Sequence, residues 1–327
     1  MRATGAAIAL GLAIDRFVGE PPVAVHPVAR FGQAMTALET QWYRNSKTAG
    51  VVFCAIGVGG ATLIGVGLQR LLGRPAATAA AVSIAVAGRM LGREAAAIGD
   101  LLAAGDLASA RARLPSLVGR TATHLSETEV ARAVIESVAE NSVDAVIAPI
   151  MWAVIGGAPL VLAHRAVNTL DAMVGHHSPR YERFGWASAR LDDVANWLPA
   201  RLAAITVAGV RPGRANAIQR VVRRDAAQHP SPNGGVIESA FAAALGIRLG
   251  GANRYGDVIE DRGVLGDGRR AAAGDVAAAI TLMNQATAAL AAAAIAGPLL
   301  WQRARFVPRC LPGLRGQRVQ RGGSALC

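Results

Sequence analysis

Three stretches of this chain run without a single charged residue: Ala49–Leu68, Ala145–Ala163 and Val276–Trp301. At about 1.5 Å of helical rise per residue, the longest crosses about 30 Å of hydrocarbon, and the other two sit near the minimum spanning length. Shorter apolar runs at Ala3–Ile14, Pro75–Gly88 and Trp197–Val210, the last enclosing Arg201, read as helices that are tilted, re-entrant or buried in protein. The polar positions between them predict an amphipathic helix over residues 29–48 and surface helices across Arg89–Thr123. A hairpin should join 49–68 to 75–88 through a turn at Arg70–Arg74. The pattern predicts an all-α, polytopic integral membrane protein whose polar helical loops carry the chemistry. No repeat or flexible linker divides the chain, so residues 1–301 are expected to form one membrane-embedded domain, followed by an Arg-rich, disordered tail at 302–327.

Composition agrees. The 327 residues are 52% apolar and 17% charged, with a positive mean hydropathy. The net charge of +12 is almost wholly arginine, since Lys47 is the only lysine; basic and acidic residues are interspersed, and no aromatic-rich basic stripe points to nucleic acid. The exception is the tail, where Arg303, Arg305, Arg309, Arg315, Arg318 and Arg321 follow the longest apolar run with no acid among them. That asymmetry predicts a cytoplasmic C-terminus. Cys54, Cys310 and Cys327 have neither metal-like spacing nor the density of a disulfide framework. The first apolar run lacks a convincing cleavage site and reads as an uncleaved membrane segment.

The chemistry is concentrated between Glu136 and Arg201, on either side of the second apolar run. Ser126–Glu129 is a capping box that starts a helix, on which Glu136, Glu140 and Asp144 recur every fourth residue and share a face. Like charges at that spacing repel, and a magnesium ion with its hard oxygen ligands would relieve them; a solvated stripe is the plainer alternative. Pro149, Gly156, Gly157 and Pro159 break the apolar run that follows, so it is a broken or re-entrant helix. If it crossed simply, Glu140 and Asn168 would face opposite sides of the membrane. Beyond it, His164, Asn168 and Asp171 fall on one helical face, then come Arg190-Leu191-Asp192-Asp193, Asn196 and Arg201. A third cluster, Asp225…His229-Pro230-Ser231-Pro232-Asn233-Gly234-Gly235…Glu238, sets a rigid turn whose amides can face an anion, and Gly246–Gly256 reads as a second glycine-rich turn. No Walker A loop, nucleophile elbow, zinc motif or dinucleotide fingerprint is present.

Several of these blocks together resemble one family. Asp15…Gly19-Glu20-Pro21-Pro22…His26-Pro27-Val28, Glu136-Ser137-Val138-Ala139-Glu140-Asn141, Asn168-Thr169-Leu170-Asp171-Ala172-Met173-Val174-Gly175, Arg190-Leu191-Asp192-Asp193…Pro199-Ala200-Arg201, the His229–Gly235 turn with Glu238-Ser239-Ala240, and Leu249-Gly250-Gly251 are similar in content and order to the CobD/CbiB family. These are the adenosylcobinamide-phosphate synthases of cobalamin biosynthesis. The resemblance covers roughly residues 10 to 300. It implies a multi-pass enzyme of the cell inner membrane, with neighbours among other cobalamin-biosynthesis enzymes. The activity implied is amide ligation of aminopropanol or its phosphate to a propionate carboxylate of adenosylcobyric acid, with ATP and Mg2+.

Under that reading Glu136, Glu140, Asp144, Asn168, Asp171, Asp192 and Asp193 carry catalysis, with Glu140, Asp144, Asp192 and Asp193 as metal ligands. His26, Asn141, Arg190, Arg201, His229, Ser231, Asn233 and Glu238 bind substrate or phosphate. Gly263 stands where the family tends to have proline, and Val236-Ile237 replace a more usual aromatic and proline. A corrinoid-binding sensor or transporter with the same fold and no ligase activity is the alternative, and a scaffold for pathway enzymes is a third.

Overall fold

Runs without charge become helices here because a backbone in hydrocarbon has to satisfy its own N–H and C=O groups. The computed structural model describes residues 2–119, 122–176, 178–255 and 258–305. Helix α1 (Arg2–Ala13) ends in a π turn at Ile14–Val18, and α2 (Pro27–Trp42) follows, capped by the His26 side chain and with proline at its first position. Helix α3 (Lys47–Ala85) breaks at Gly73 (φ 76°, ψ 156°), and its second arm folds back so that Ile64 and Ile84 line one crevice. The expected hairpin is present, with Gly73 as its turn. On the first arm Gly50, Gly57 and Gly65, seven or eight residues apart, lie so close to Phe184, Leu170 and Pro159 that an added Cβ would sit 1.9–2.9 Å from them. Small residues of this kind let helices approach closely in a membrane.

Amphipathic α4 (Gly88–Ala103) buries Leu91, Ala95, Ile98 and Leu102, and short α5 (Leu107–Arg113) packs beside it. Helix α6 (Glu127–Ser142) begins with the expected capping box: Ser126 Oγ accepts from the Glu129 N–H, and Glu129 Oε2 accepts from the Ser126 N–H at 2.7 Å. A π turn at Val143–Ile147 carries it into α7 (Ala148–Gly156). At Gly157 (φ 68°, ψ −150°) the chain reverses, and α8 (Ala158–Leu170) runs back to a third π turn at Asp171–Gly175. Glu140 and Asp171 line the same cavity, so this segment goes in and returns to the side it entered from.

Short α9 (Tyr181–Phe184), α10 (Trp186–Ala195), α11 (Trp197–Val210), α12 (Ala215–Asp225) and α13 (Gly234–Leu245) complete the site's surroundings, and α14 (Ala273–Arg305) closes the fold. The tail beyond residue 305, with Cys310 and Cys327, lies outside the described residues.

The helical class holds, with one addition. Gly246–Gly256, expected as a turn, is mostly strand: β1 (Ile247–Tyr255) pairs antiparallel with β2 (Val258–Leu265) and parallel with β3 (Arg269–Arg270). Glycines in isolation argue for a turn; in the fold Gly250 (φ 76°) and Gly251 (φ 83°) make a bulge in the ladder instead.

Three helical stretches, 47–103, 127–156 and 273–297, are long and apolar enough to cross a membrane by length and composition. In the first and last, 28% and 22% of the apolar window is buried in protein, against 67% in the second. The outer two therefore turn apolar side chains such as Val51, Ile56, Leu63, Ile64 and Ile295 outward to lipid, while 127–156 is the interior element. Exposed Trp42, Trp186 and Trp197 fit the aromatic belt where membrane meets water.

Candidate active site

The interior position of α6 and the return of α8 decide where the polar side chains meet. A cavity of about 310 Å³ is lined by Glu140, Asp144, Asp171 and Asp192, with Asn141, Asn196, Ser231 and Asn233 around them. It adjoins a second, of about 410 Å³, through Glu140, Asp171, Asp192 and Ser231; His176, Arg190, Asp193, His229, Glu260 and Arg262 line that one. Four carboxylates from four local elements thus face one space: α6, the π turn after it, the π turn after α8, and α10. A π turn inserts one residue into a helix and re-aims its side chain, and both Asp144 and Asp171 stand in such turns.

Amides separate and orient these carboxylates. Asn168 bonds those of Asp144 and Asp192. Asn196 donates through Nδ2 to Asp192 Oδ1 at 3.0 Å, and its Oδ1 lies 2.8 Å from His164 Nε2. Since that oxygen can only accept, His164 carries its proton on Nε2. Burial, then the charges of Asp192 and Asp193, pushes the Asp171 carboxyl up to about 7, and burial likewise raises Asp192. Gly175 makes room for Asp171: a Cβ there would lie 1.9 Å from Asp171 Oδ1.

The turn before α13 forms the opposite wall. Ser231 Oγ accepts from the Gly234 N–H at 3.0 Å, and His229 Nδ1 accepts from the Ser231 N–H at 3.0 Å. Its Nε2 then points at Glu238 Oε1, 3.3 Å away. Burial and the Arg262 guanidinium hold His229 below its ordinary pKa, so the imidazole is neutral. Glu140, His229 and Glu238 could together hold a metal ion by distance, but Arg262 Nη1 already lies 3.6 Å from Glu140 Oε1 and 3.8 Å from Glu238 Oε1. That set carries its own cation. The other set, Glu140 with Asp144, Asp171 and Asp192, presents only hard oxygen donors with surplus negative charge, and it is the one whose chemistry fits magnesium.

Not every residue singled out in the sequence arrives here. Glu136 shares the helix face of Glu140 but turns to the sheet, where its Oε1 accepts from the Gly250 N–H at 2.9 Å and lies 3.7 Å from Arg132 Nε. His26 bonds the Val28 N–H and sits 3.7 Å from Glu20, lining neither cavity. Arg201 spends its fork on the turn, donating to Asn233 Oδ1 (2.8 Å) and the Pro232 carbonyl (3.1 Å), so it braces that wall. Asp193 and Arg190 face each other at 3.3 Å on the rim of the second cavity. Asn141 lines the first cavity, held by the Ser137 carbonyl. Arg262 is the residue that sequence reasoning missed; it stands 122 positions from Glu140 on a strand not foreseen, and no local pattern marked it.

A stability test follows from Asp171. With a folded pKa near 7 against 3.8 unfolded, the folded state holds a proton in that interval that the unfolded state has released. Stability of the metal-free protein therefore falls as pH rises from about 4 to 7, by about 4 kcal/mol at most. Thermal unfolding in detergent with EDTA should show a higher Tm at pH 5.5 than at 7.5, and magnesium should raise Tm more at 7.5. The reverse order at the two pH values would contradict the crowding of carboxylates.

The chain matches known proteins along nearly its whole length. Residues 8–283 match the family described as CobD/Cbib protein. The cobalamin biosynthesis protein CobD of Mycobacterium tuberculosis is 46% identical over 300 residues, covering 90% of this chain and 95% of that protein. The protein of the same name from Pelobacter propionicus is 42% identical over 303 residues (88% and 94%), and that from Rhizobium meliloti 39% over 319 (90% and 97%). No solved structure matches. With a family match over most of its length and identity of this extent, the chain belongs to the CobD/CbiB family of cobalamin biosynthesis proteins.

Proposed function

We propose that this protein makes adenosylcobinamide phosphate in cobalamin biosynthesis, by ATP-dependent amide ligation of aminopropanol or its O-phosphate to a propionate carboxylate of adenosylcobyric acid. The observation that carries the reading is the convergence of Glu140, Asp144, Asp171 and Asp192 in one cavity. A carboxylate cannot acylate an amine until one of its oxygens becomes a leaving group, and phosphoryl transfer from ATP supplies that; such transfer needs positioning and charge neutralisation more than a protein nucleophile. Glu140, Asp144 and Asp192 would hold Mg2+, while Asp193, paired with Arg190 at the rim of the second cavity, leaves the ligand set that adjacency in sequence had suggested. When bound, the ion neutralises phosphate charge.

The chain's own groups do the rest. Asp171, poised near neutrality and lining both cavities, accepts the proton that the incoming ammonium must lose before its nitrogen can attack. The Ser231–Gly234 turn at the N-terminus of α13 offers an electropositive helix end, braced by Arg201. Arg190 at the rim is placed to meet an anionic substrate group. The site faces the cytoplasmic side of the inner membrane, where ATP is supplied.

The test is a ligation assay on purified protein in liposomes, with adenosylcobyric acid, aminopropanol phosphate, Mg2+ and ATP, following corrinoid product and ADP together. Equal amounts of product and ADP are expected. Tight corrinoid binding by folded protein with neither product nor ADP would replace this reading with a sensor or transporter.

A further inference from the structure

A second polar cavity lies away from the carboxylates, between the first turn of α6 and the sheet. Its volume is about 410 Å³, within the range of about 300–1,000 Å³ typical of small-molecule sites. Arg132, Arg248 and Arg270 line it over a floor of Leu249, Val264 and Ala271. The one carboxylate among the lining residues, Glu129, is turned to its own helix cap, where Oε2 accepts from both the N–H and Oγ of Ser126 at 2.7 Å. Three arginines therefore line the space, with Glu129 and Glu136 offsetting part of the charge of Arg132 and Arg270.

The local backbone is shaped for such a role. Arg132 is largely buried and fixed: its Nη2 donates to Asn253 Oδ1 at 3.0 Å and to the Ala252 carbonyl at 3.3 Å. Its Nε, 3.7 Å from Glu136 Oε1, makes no hydrogen bond. Gly251 stands in front of it at φ 83°, and a Cβ there would lie 3.0 Å from Arg132 Nη1. The bulge that puts two glycines at positive φ thus keeps one edge of a fixed guanidinium clear. Arg248 and Arg270 come from neighbouring, paired strands and are exposed at the mouth. Planar guanidiniums converging on a cleft match the oxygens of a phosphate group.

We propose that this cavity is an anion site that takes a small phosphorylated molecule, held directly by Arg132, Arg248 and Arg270 without a metal ion. It is distinct from the carboxylate cavity, and it does not depend on the ligase reading. Glu136 joins the two places, since it bonds Gly250 in the cavity wall and stands one helical turn before Glu140.

The test uses pyrophosphate as probe, titrated calorimetrically into the full-length protein in detergent with EDTA present. Absence of divalent metal silences phosphate binding at the carboxylates. Saturable binding is expected, weakened about a hundredfold in Arg248→Gln/Arg270→Gln, at about tenfold for each guanidinium removed. Both residues are exposed, so the variant should keep the wild-type Tm. Asp192→Asn should bind pyrophosphate as the wild type does. No saturable binding to wild type, unchanged affinity in the double variant, or loss of binding in Asp192→Asn would each overturn the proposal.

Discussion

Replacing Asp192 with asparagine should lower the rate of corrinoid product formation by at least about a hundredfold, the scale of losing a charged group that acts on the reacting centre. The substitution keeps the shape of a side chain that accepts from Asn196 Nδ2 at 3.0 Å and lines both cavities, while removing its charge. Two further readouts separate this role from a structural one. The magnesium concentration needed for half-maximal rate should rise, because a ligand has been removed. The metal-free variant should also be more stable than the wild type at pH 7.5, because one of the crowded carboxylates no longer repels Asp171. A variant with full activity would remove Asp192 from the chemistry; one that is inactive and less stable would reduce it to a packing residue.

The second large effect is expected at Gly157. Its backbone (φ 68°, ψ −150°) lies where side chains are strongly disfavoured, and a Cβ would stand 2.5 Å from Gln69 Nε2 and 3.0 Å from Thr78 Oγ1. Gly157→Ala should destabilise the protein by about 3 kcal/mol, combining backbone strain with displacement of the neighbouring α3. Activity should fall too, since α8 carries Asn168 and leads into Asp171, and both depend on where the reversal occurs. Thermal unfolding in detergent measures the first effect and the ligation assay the second. By contrast, Gly59→Ala meets nothing within 4 Å and should be silent.

Much of the architecture was legible because its determinants are local. The charge-free runs, the capping box at Ser126 and the breaking residues around Gly157 each act within a few positions, and the reversal at Gly157 brings Glu140 and Asp171 together as the polar blocks required. What failed to show was decided at a distance. Glu136, Glu140 and Asp144 look equivalent on a helical wheel, yet Glu136 is claimed by the Gly250 N–H, 114 positions away. The glycines at 250 and 251 read as a turn until a partner strand downstream gives them a ladder to bulge from. Asp192 and Asp193 are adjacent in sequence, and helical geometry sends them to different partners, Asn196 and Arg190.

The π turns at Val143–Ile147 and Asp171–Gly175 set fold and chemistry on separate footings. The first amounts to one residue inserted into the otherwise continuous α6–α7 helix, whereas the second ends α8, with His176 extended after it. Deleting one residue in the first turn would let the α-helical ladder close over the gap, leaving α6 and α7 in phase with their packing neighbours. The aspartate of that turn would then rotate away from the cavity. A lineage could thus lose this site by a single codon deletion and keep its membrane scaffold, or acquire it by the opposite event. Relatives with a helix of ordinary pitch between α6 and α7 would then be expected to have abandoned the reaction while retaining the shape.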